Sequence, residues 1–264
     1  MSAATAPAAP APARAPALPL GTRPAYAAEL LGTFLLVTFI IFAVSGTAPA
    51  PAGSGNFDVV LIAFTHAFVL FLIVRALGPA SGGHFNPAVT VALLFKRKIG
   101  TTDAAAYIVL QCLGAVLAAL FAKAIMGDAA EAVNYAGPNL NPDQYIDGSM
   151  WLGMLAEGLG GFVLMFAIMA TAVDPRGNRD WAPYLIGLAL GLGVLVLAPV
   201  TGAAINPARA FGPLLVGNFG SVSDFLVAYV AGPIIGALLA AVAYTELVLK
   251  PQDEAEKRPI DTMK

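Results

Sequence analysis

Ser81-Gly82-Gly83-His84-Phe85-Asn86-Pro87-Ala88-Val89 and Thr201-Gly202-Ala203-Ala204-Ile205-Asn206-Pro207-Ala208-Arg209 are one phrase written twice, with its asparagines 120 residues apart. In each copy Asn stands where a helix N-cap belongs, because its side-chain oxygen can take up a free backbone N–H. Pro follows at the first helical position, where a missing N–H costs nothing. The apolar segments opened this way, 86–95 and 206–216, are short. Ten residues of helix rise only about 15 Å, half of a hydrocarbon core about 30 Å thick. Two such pieces meeting end to end would just cross a membrane.

Six further stretches are long enough to cross alone: about 25–45, 59–77, 103–124, 151–173, 182–200 and 224–248. They share the period of the double motif. Ala28-Glu29-Leu30-Leu31-Gly32-Thr33-Phe34 in the first span is echoed by Ala156-Glu157-Gly158-Leu159-Gly160-Gly161-Phe162 in the fourth, and Tyr107 and Gly114 by Tyr229 and Gly236. Each half therefore holds three spans and one short segment. An odd number of crossings makes the second half enter from the opposite side, so the expected fold is all-α, six transmembrane helices plus two re-entrant half-helices in an inverted 3+3 repeat.

Composition agrees with a membrane setting. Of 264 residues, 58% are hydrophobic and 11% charged, with mean hydropathy +0.79, where a soluble domain carries roughly a quarter charged residues. A net charge of −2 provides no basic field for nucleic acid. A single cysteine, Cys112, excludes an intrachain disulfide or thiolate cluster, and His66 and His84 are too few for most histidine metal sites. No metal, cofactor or enzymatic constellation of nucleophile and base is expected. Residues 1–24, rich in Ala and Pro, read as a disordered tail, 25–248 as a single channel domain (repeat 1 about 25–124, repeat 2 about 151–248), and 249–264 as a second tail.

Charge sets the orientation. Arg14, Arg23, Arg75, Lys96, Arg97, Lys98, Arg176, Arg179, Lys250, Lys257, Arg258 and Lys264 all fall on one side of this topology. The opposite loops, about 46–58 and 127–150, carry Asp58, Asp128, Glu131, Asp143 and Asp147 without Lys or Arg. By the positive-inside rule both termini are expected to be cytoplasmic, in a multi-pass protein of the cell membrane.

Inversion turns the two half-helix N-termini toward one another, so both positive dipole ends address one point and repel cations, hydronium included. A water between Asn86 and Asn206 would accept from both amides and direct its own hydrogens along the pore, which interrupts a proton wire.

The paired Asn-Pro-Ala motifs, with Ser-Gly-Gly-His before the first and Arg209 after the second, resemble the major intrinsic protein family, the aquaporins and aquaglyceroporins, over about residues 25–248. The resemblance implies homotetramers in the lipid bilayer with one pore per subunit. It implies a passive channel for water, excluding protons and ions, through motifs Asn86, Pro87, Ala88 and Asn206, Pro207, Ala208. Glu29 and Glu157 match family glutamates that hold the re-entrant loops, although intramembrane acids also suit a proton relay. His84 matches a loop position that either bonds loop carbonyls or lines the inner vestibule. Arg209 matches the constriction arginine. By offset from the motifs, its companions are His66, Val194 and Ala203, a quartet similar to that of plant tonoplast intrinsic proteins. Its width makes ammonia, hydrogen peroxide and urea further candidate solutes. Ala210 stands where glycerol facilitators usually have Asp, which disfavours but leaves open a glycerol or small-polyol facilitator. A coupled secondary transporter is the more distant alternative.

Overall fold

The structure, a computed structural model, describes residues 21–48, 58–140 and 145–252. Asp143, most of the 46–58 loop and most of both tails lie outside the described residues. Among those described, six helices are long and apolar enough to cross a membrane. They are α1 (Arg23–Thr47), α2 (Val59–Ser81), α4 (Thr101–Met126), α5 (Met150–Val173), α6 (Ala182–Thr201) and α8 (Val222–Gln252). The short helices α3 (Pro87–Phe95) and α7 (Pro207–Val216) follow α2 and α6. Large apolar side chains such as Phe68, Leu72, Leu155 and Leu195 stand on the outside, as lipid contact requires.

α2 and α6 end by the same device. A proline, Pro79 or Pro199, sits in the last turn, and a left-handed glycine, Gly82 (φ 88°) or Gly202 (φ 76°), closes it. The chain then folds back through residues of positive φ, Phe85 and Ile205 among them, before Asn restarts a helix. At α8 the structure departs from the expected boundary. The helix continues to Gln252 instead of stopping near 248, with Lys250 paired to Glu246 one turn back at 2.7 Å.

The repeats also pack alike. A Cβ on Gly236 would overlap Gly158 O where α8 crosses α5, and one on Gly114 would lie 2.5 Å from Leu30 O where α4 crosses α1. Small residues at the same point of each crossing let backbones touch, which is how helices associate where lipid offers no hydrophobic contrast. The halves meet along α2 and α6, where Gly191 faces Ala63 and Ala67. Each half-helix packs on the third span of the other half, α3 on α8 and α7 on α4.

At the terminus-side end of α5, buried Asp174 accepts from Arg176 N (2.9 Å), Arg176 Nε (3.0 Å) and Tyr244 OH (3.0 Å), tying α5 to α8. Burial disfavours its ionised form, but the hydrogen bonds from Arg176 and Tyr244 outweigh this and hold the carboxyl below its ordinary 3.8. The connection between α4 and α5 contains Asn134, Tyr135 and Ala136, three successive non-glycine residues at φ 48°, 53° and 59°. Each left-handed residue costs roughly 1–2 kcal/mol.

Candidate functional site

Irregular backbone inside a membrane must find partners within the protein. Here two buried carboxylates supply them. Glu29 Oε1 accepts from Ser81 Oγ (2.7 Å) and His84 N (2.9 Å), and Oε2 from Phe85 N and Gln111 Nε2 (both 2.7 Å). Glu157 repeats the arrangement with Thr201 Oγ1 (2.6 Å), Ala204 N (2.9 Å) and Ile205 N (2.5 Å). Tyr107 OH and Tyr229 OH donate to Ser81 O and Thr201 O at 2.8 and 3.0 Å. Because the N–H groups of both loops turn to the carboxylates, the carbonyls of the same peptides turn the other way.

The next carbonyl along each loop, Phe85 O or Ile205 O, meets the asparagine of the other half. Asn86 Oδ1 caps α3 through Ala88 N (2.9 Å), while its Nδ2 donates to Ile205 O of the opposite loop at 3.0 Å. Asn206 Oδ1 caps α7 through Ala208 N (3.0 Å) and Arg209 N (3.3 Å), and its Nδ2 donates to Phe85 O at 2.8 Å. The N-termini of the half-helices are thus stitched together by a reciprocal pair of bonds. One expectation changes: neither amide is wholly free, since each spends one N–H on the other loop and keeps one. A side-chain carbonyl committed to capping aims its NH2 at whatever faces the helix start, and here that is a carbonyl.

Both asparagines lie on one narrow lumen. About 20 Å³ of it is open to the centre of a water-sized sphere, against the ~10–15 Å³ that one water requires. Its polar side includes Gly83, His84 and Ala204 of the re-entrant loops. Its apolar side comes from repeat-related pairs, Leu36 with Leu164 and Ile40 with Ile168. The polarity is uneven along its length. His66 and Arg209 line it near the end away from the termini, and the repeat-related residues of the other half are Ile186 and Val89, both apolar lining residues.

Of the expected quartet, His66 and Arg209 line this part of the lumen, and Val194 and Ala203 are buried, at 1% and 0% exposed. The loop adds Ala204 to the lining, and Ala203, at a positive φ of 45°, donates its N–H to Thr201 Oγ1 at 3.2 Å. Arg209 is 3% exposed, and its Nε and Nη1 have no hydrogen-bond partner among the described residues, nor does His66 Nε2. His66 Nδ1 lies 2.8 Å from Ile62 O. A carbonyl only accepts, so Nδ1 carries the proton and, in the neutral ring, Nε2 is an acceptor. The site thus offers donors from Arg209 and an acceptor from His66.

His84 has two parts to play. Its backbone N–H joins the Glu29 network, while its ring lines the lumen. Thr90 Oγ1 donates to Asn86 O, so it accepts from His84 Nδ1 at 3.1 Å and from Gln111 Nε2 at 3.0 Å. The His84 ring too carries its proton on Nδ1. Gln111 and Thr90 were not anticipated from sequence, since nothing in their spacing sets them apart. Ser81, Thr201, Tyr107 and Tyr229 stood at matched positions of the two copies, which was a usable signal.

A family model described as Major intrinsic protein matches residues 20–244. Aquaporin AqpM of Methanothermobacter thermautotrophicus is 36% identical over 237 residues, covering 83% of this chain and 95% of that protein. Aquaporin PIP1-3 of Arabidopsis thaliana is 36% identical over 228 residues (84% and 78%), and Glycerol uptake facilitator protein-like 6 of Lactiplantibacillus plantarum is 34% identical over 216 residues (82% and 94%). The crystal structure of the aquaglyceroporin from Plasmodium falciparum superposes with a TM-score of 0.71 at 21% identity, over 88% of this chain and 98% of that one, a likeness of fold. With the family model covering both half-helices and reaching into all six crossings, this chain belongs to the major intrinsic protein family.

Proposed function

We propose that this protein is a passive transmembrane channel for water that excludes protons and ions. The observation that carries the reading is the reciprocal bonding of Asn86 to Ile205 O and of Asn206 to Phe85 O on one lumen. Two positive dipole ends share that point and oppose cations. A passing water accepts the remaining amide N–H groups and turns its hydrogens outward along the file, so no continuous proton wire forms. Arg209 adds a second cation barrier, and with His66, Val194 and Ala203 it forms the constriction, beside which the re-entrant loop contributes Ala204.

The alternative within the family is a glycerol or small-polyol facilitator, favoured by similarity to the Lactiplantibacillus plantarum protein. The narrow lumen supports water instead. Ammonia, hydrogen peroxide and urea are secondary candidates, because each can accept from Arg209 and donate to His66 Nε2. Water and these small neutral solutes are the partners, and the work asks for no cofactor. The channel sits in the cell membrane as a homotetramer with its termini on the cytoplasmic side. The cationic flank Arg75, Lys96, Arg97 and Lys98 supports that orientation, and an open apolar cleft between α2, α5 and α6 leaves room for a neighbouring subunit.

The test is stopped-flow light scattering on proteoliposomes given gradients of an impermeant osmolyte, glycerol, urea or ammonia. Fast water flux with a low activation energy, unchanged by ion gradients, is expected. Glycerol flux matching that of water would select the facilitator, and dependence on an ion gradient would select a coupled transporter.

A further inference from the structure

We propose that Asn134–Leu140, in the connection between the two repeats, is a strap that positions the Arg209 end of the lumen, with Asn134 as its anchoring residue. The proposal rests on the reading of Arg209 and His66 as the constriction and adds a determinant of selectivity that lies outside the lumen.

The strap grips the re-entrant module of the second half at three points. Asn134 clamps the backbone just past the C-terminus of α7 with both ends of its amide: Oδ1 accepts from Asn218 N at 2.6 Å and Nδ2 donates to Asn218 O at 3.1 Å. Pro138 and Asn139 lie over the loop that precedes α7, so close that a Cβ on Gly202 would stand 2.9 Å from Pro138 Cα and 3.4 Å from Asn139 N. Leu140 belongs to one apolar cluster with Ala204, which lines the lumen, and Ala210, the residue after Arg209. Seven residues thus hold the half-helix behind its end, over its loop and at its first turn.

The fit at the anchor is tight enough to restrict its neighbours. A Cβ on Gly217 would collide with Asn134 Oδ1 and lie 3.0 Å from the Tyr135 ring, and one on Gly137 would lie 2.8 Å from Asn134 Nδ2. Tyr135 is 2% exposed, held in the core despite a hydroxyl with no hydrogen-bond partner among the described residues. The left-handed turn Asn134–Ala136 persists because these contacts over-determine it. Asparagine tolerates that conformation better than most residues and supplies the two-pronged amide at once. Among the described residues Arg209 finds no hydrogen-bond partner through Nε or Nη1 to fix it, so its place across from His66 follows from where α7 is held.

The experiment measures glycerol and water permeability per folded channel in proteoliposomes for the parent, Asn134→Gly, Asn134→Asp, Arg209→Ala and the Asn134→Gly/Arg209→Ala pair. Glycine keeps the left-handed turn and removes the clamp; aspartate keeps an acceptor for Asn218 N–H. The glycerol-to-water ratio is expected to rise about threefold or more in Asn134→Gly and to stay within about twofold of the parent in Asn134→Asp. The pair should show the ratio of Arg209→Ala alone, since the strap acts through that side chain. If Asn134→Gly lowers thermal stability but leaves the ratio unchanged while Arg209→Ala alters it, the strap is only structural and the proposal is overturned. If Arg209→Ala itself leaves the ratio unchanged, the constriction reading fails and the strap with it. Should Asn134→Gly not yield folded channel, Leu140→Ala removes the third grip without touching the turn and is judged by the same ratio.

Discussion

Replacing Glu157 tests the scaffold on which the lumen depends. Its carboxylate is fully buried and accepts from Thr201 Oγ1, Ala204 N and Ile205 N. In Glu157→Ala the Thr201 hydroxyl can fall back on Leu197 O, already 3.5 Å away, but the two backbone N–H groups have no second acceptor among the described residues. At about 1–3 kcal/mol for each orphaned buried donor, the loss is roughly 2–6 kcal/mol. For a chain of this size 1 kcal/mol moves the melting temperature by about 2–4 °C, so a fall of roughly 4–24 °C is expected. Glu157→Gln should be milder. The amide keeps an oxygen for Thr201 and Ala204 but sets an NH2 against Ile205 N–H, leaving one orphan and a loss of about 1–3 kcal/mol. Thermal unfolding of the purified protein in detergent should therefore rank parent, Glu157→Gln, Glu157→Ala, with water flux per folded channel falling in the same order. An alanine variant as stable and as permeable as the parent would refute the reasoning, and would mean that Tyr229 and the turn itself hold the loop.

Gly236→Ala should abolish folded protein in size-exclusion chromatography, because its Cβ overlaps Gly158 O at a crossing of two backbones that cannot both yield. His66→Phe should lower ammonia and urea flux relative to water in proteoliposomes by about tenfold or more, as the imidazole acceptor in the lumen beside Arg209 is replaced by an apolar ring. Asp174→Asn should lower the melting temperature at neutral pH. Because the folded carboxyl titrates below its ordinary 3.8, its contribution is complete above that value and is lost as pH falls through the lower folded one. The gap between parent and variant should therefore close under strong acid, and a gap that persists there would show that shape rather than charge is at stake.

Much of this protein could be read before it was seen in three dimensions. Six long apolar runs, two short ones and an internal period define crossings and inversion, because hydrophobic length and chain parity are local properties that no distant contact alters. The Asn-Pro starts of α3 and α7 were legible for the same reason, capping being a matter of neighbouring residues. The end of α8 was misjudged by a few residues, since a charged helical turn looks like a solvated tail when only apolar periodicity is followed.

What only the tertiary structure decided is where the irregular backbone points. The loop ahead of α7 keeps its irregular path because a carboxylate 47 residues earlier in the chain captures Ala204 N–H. Each asparagine surrenders one amide hydrogen because the opposite loop brings a carbonyl to it, over a separation of 119 or 121 residues. Gln111, Thr90 and the clamp from Asn134 to Asn218 have no periodic signature. In a segment without a repeating hydrogen-bond pattern, the direction of every peptide is set by whatever distant group pairs with it, and that pairing exists only once the chain has closed on itself.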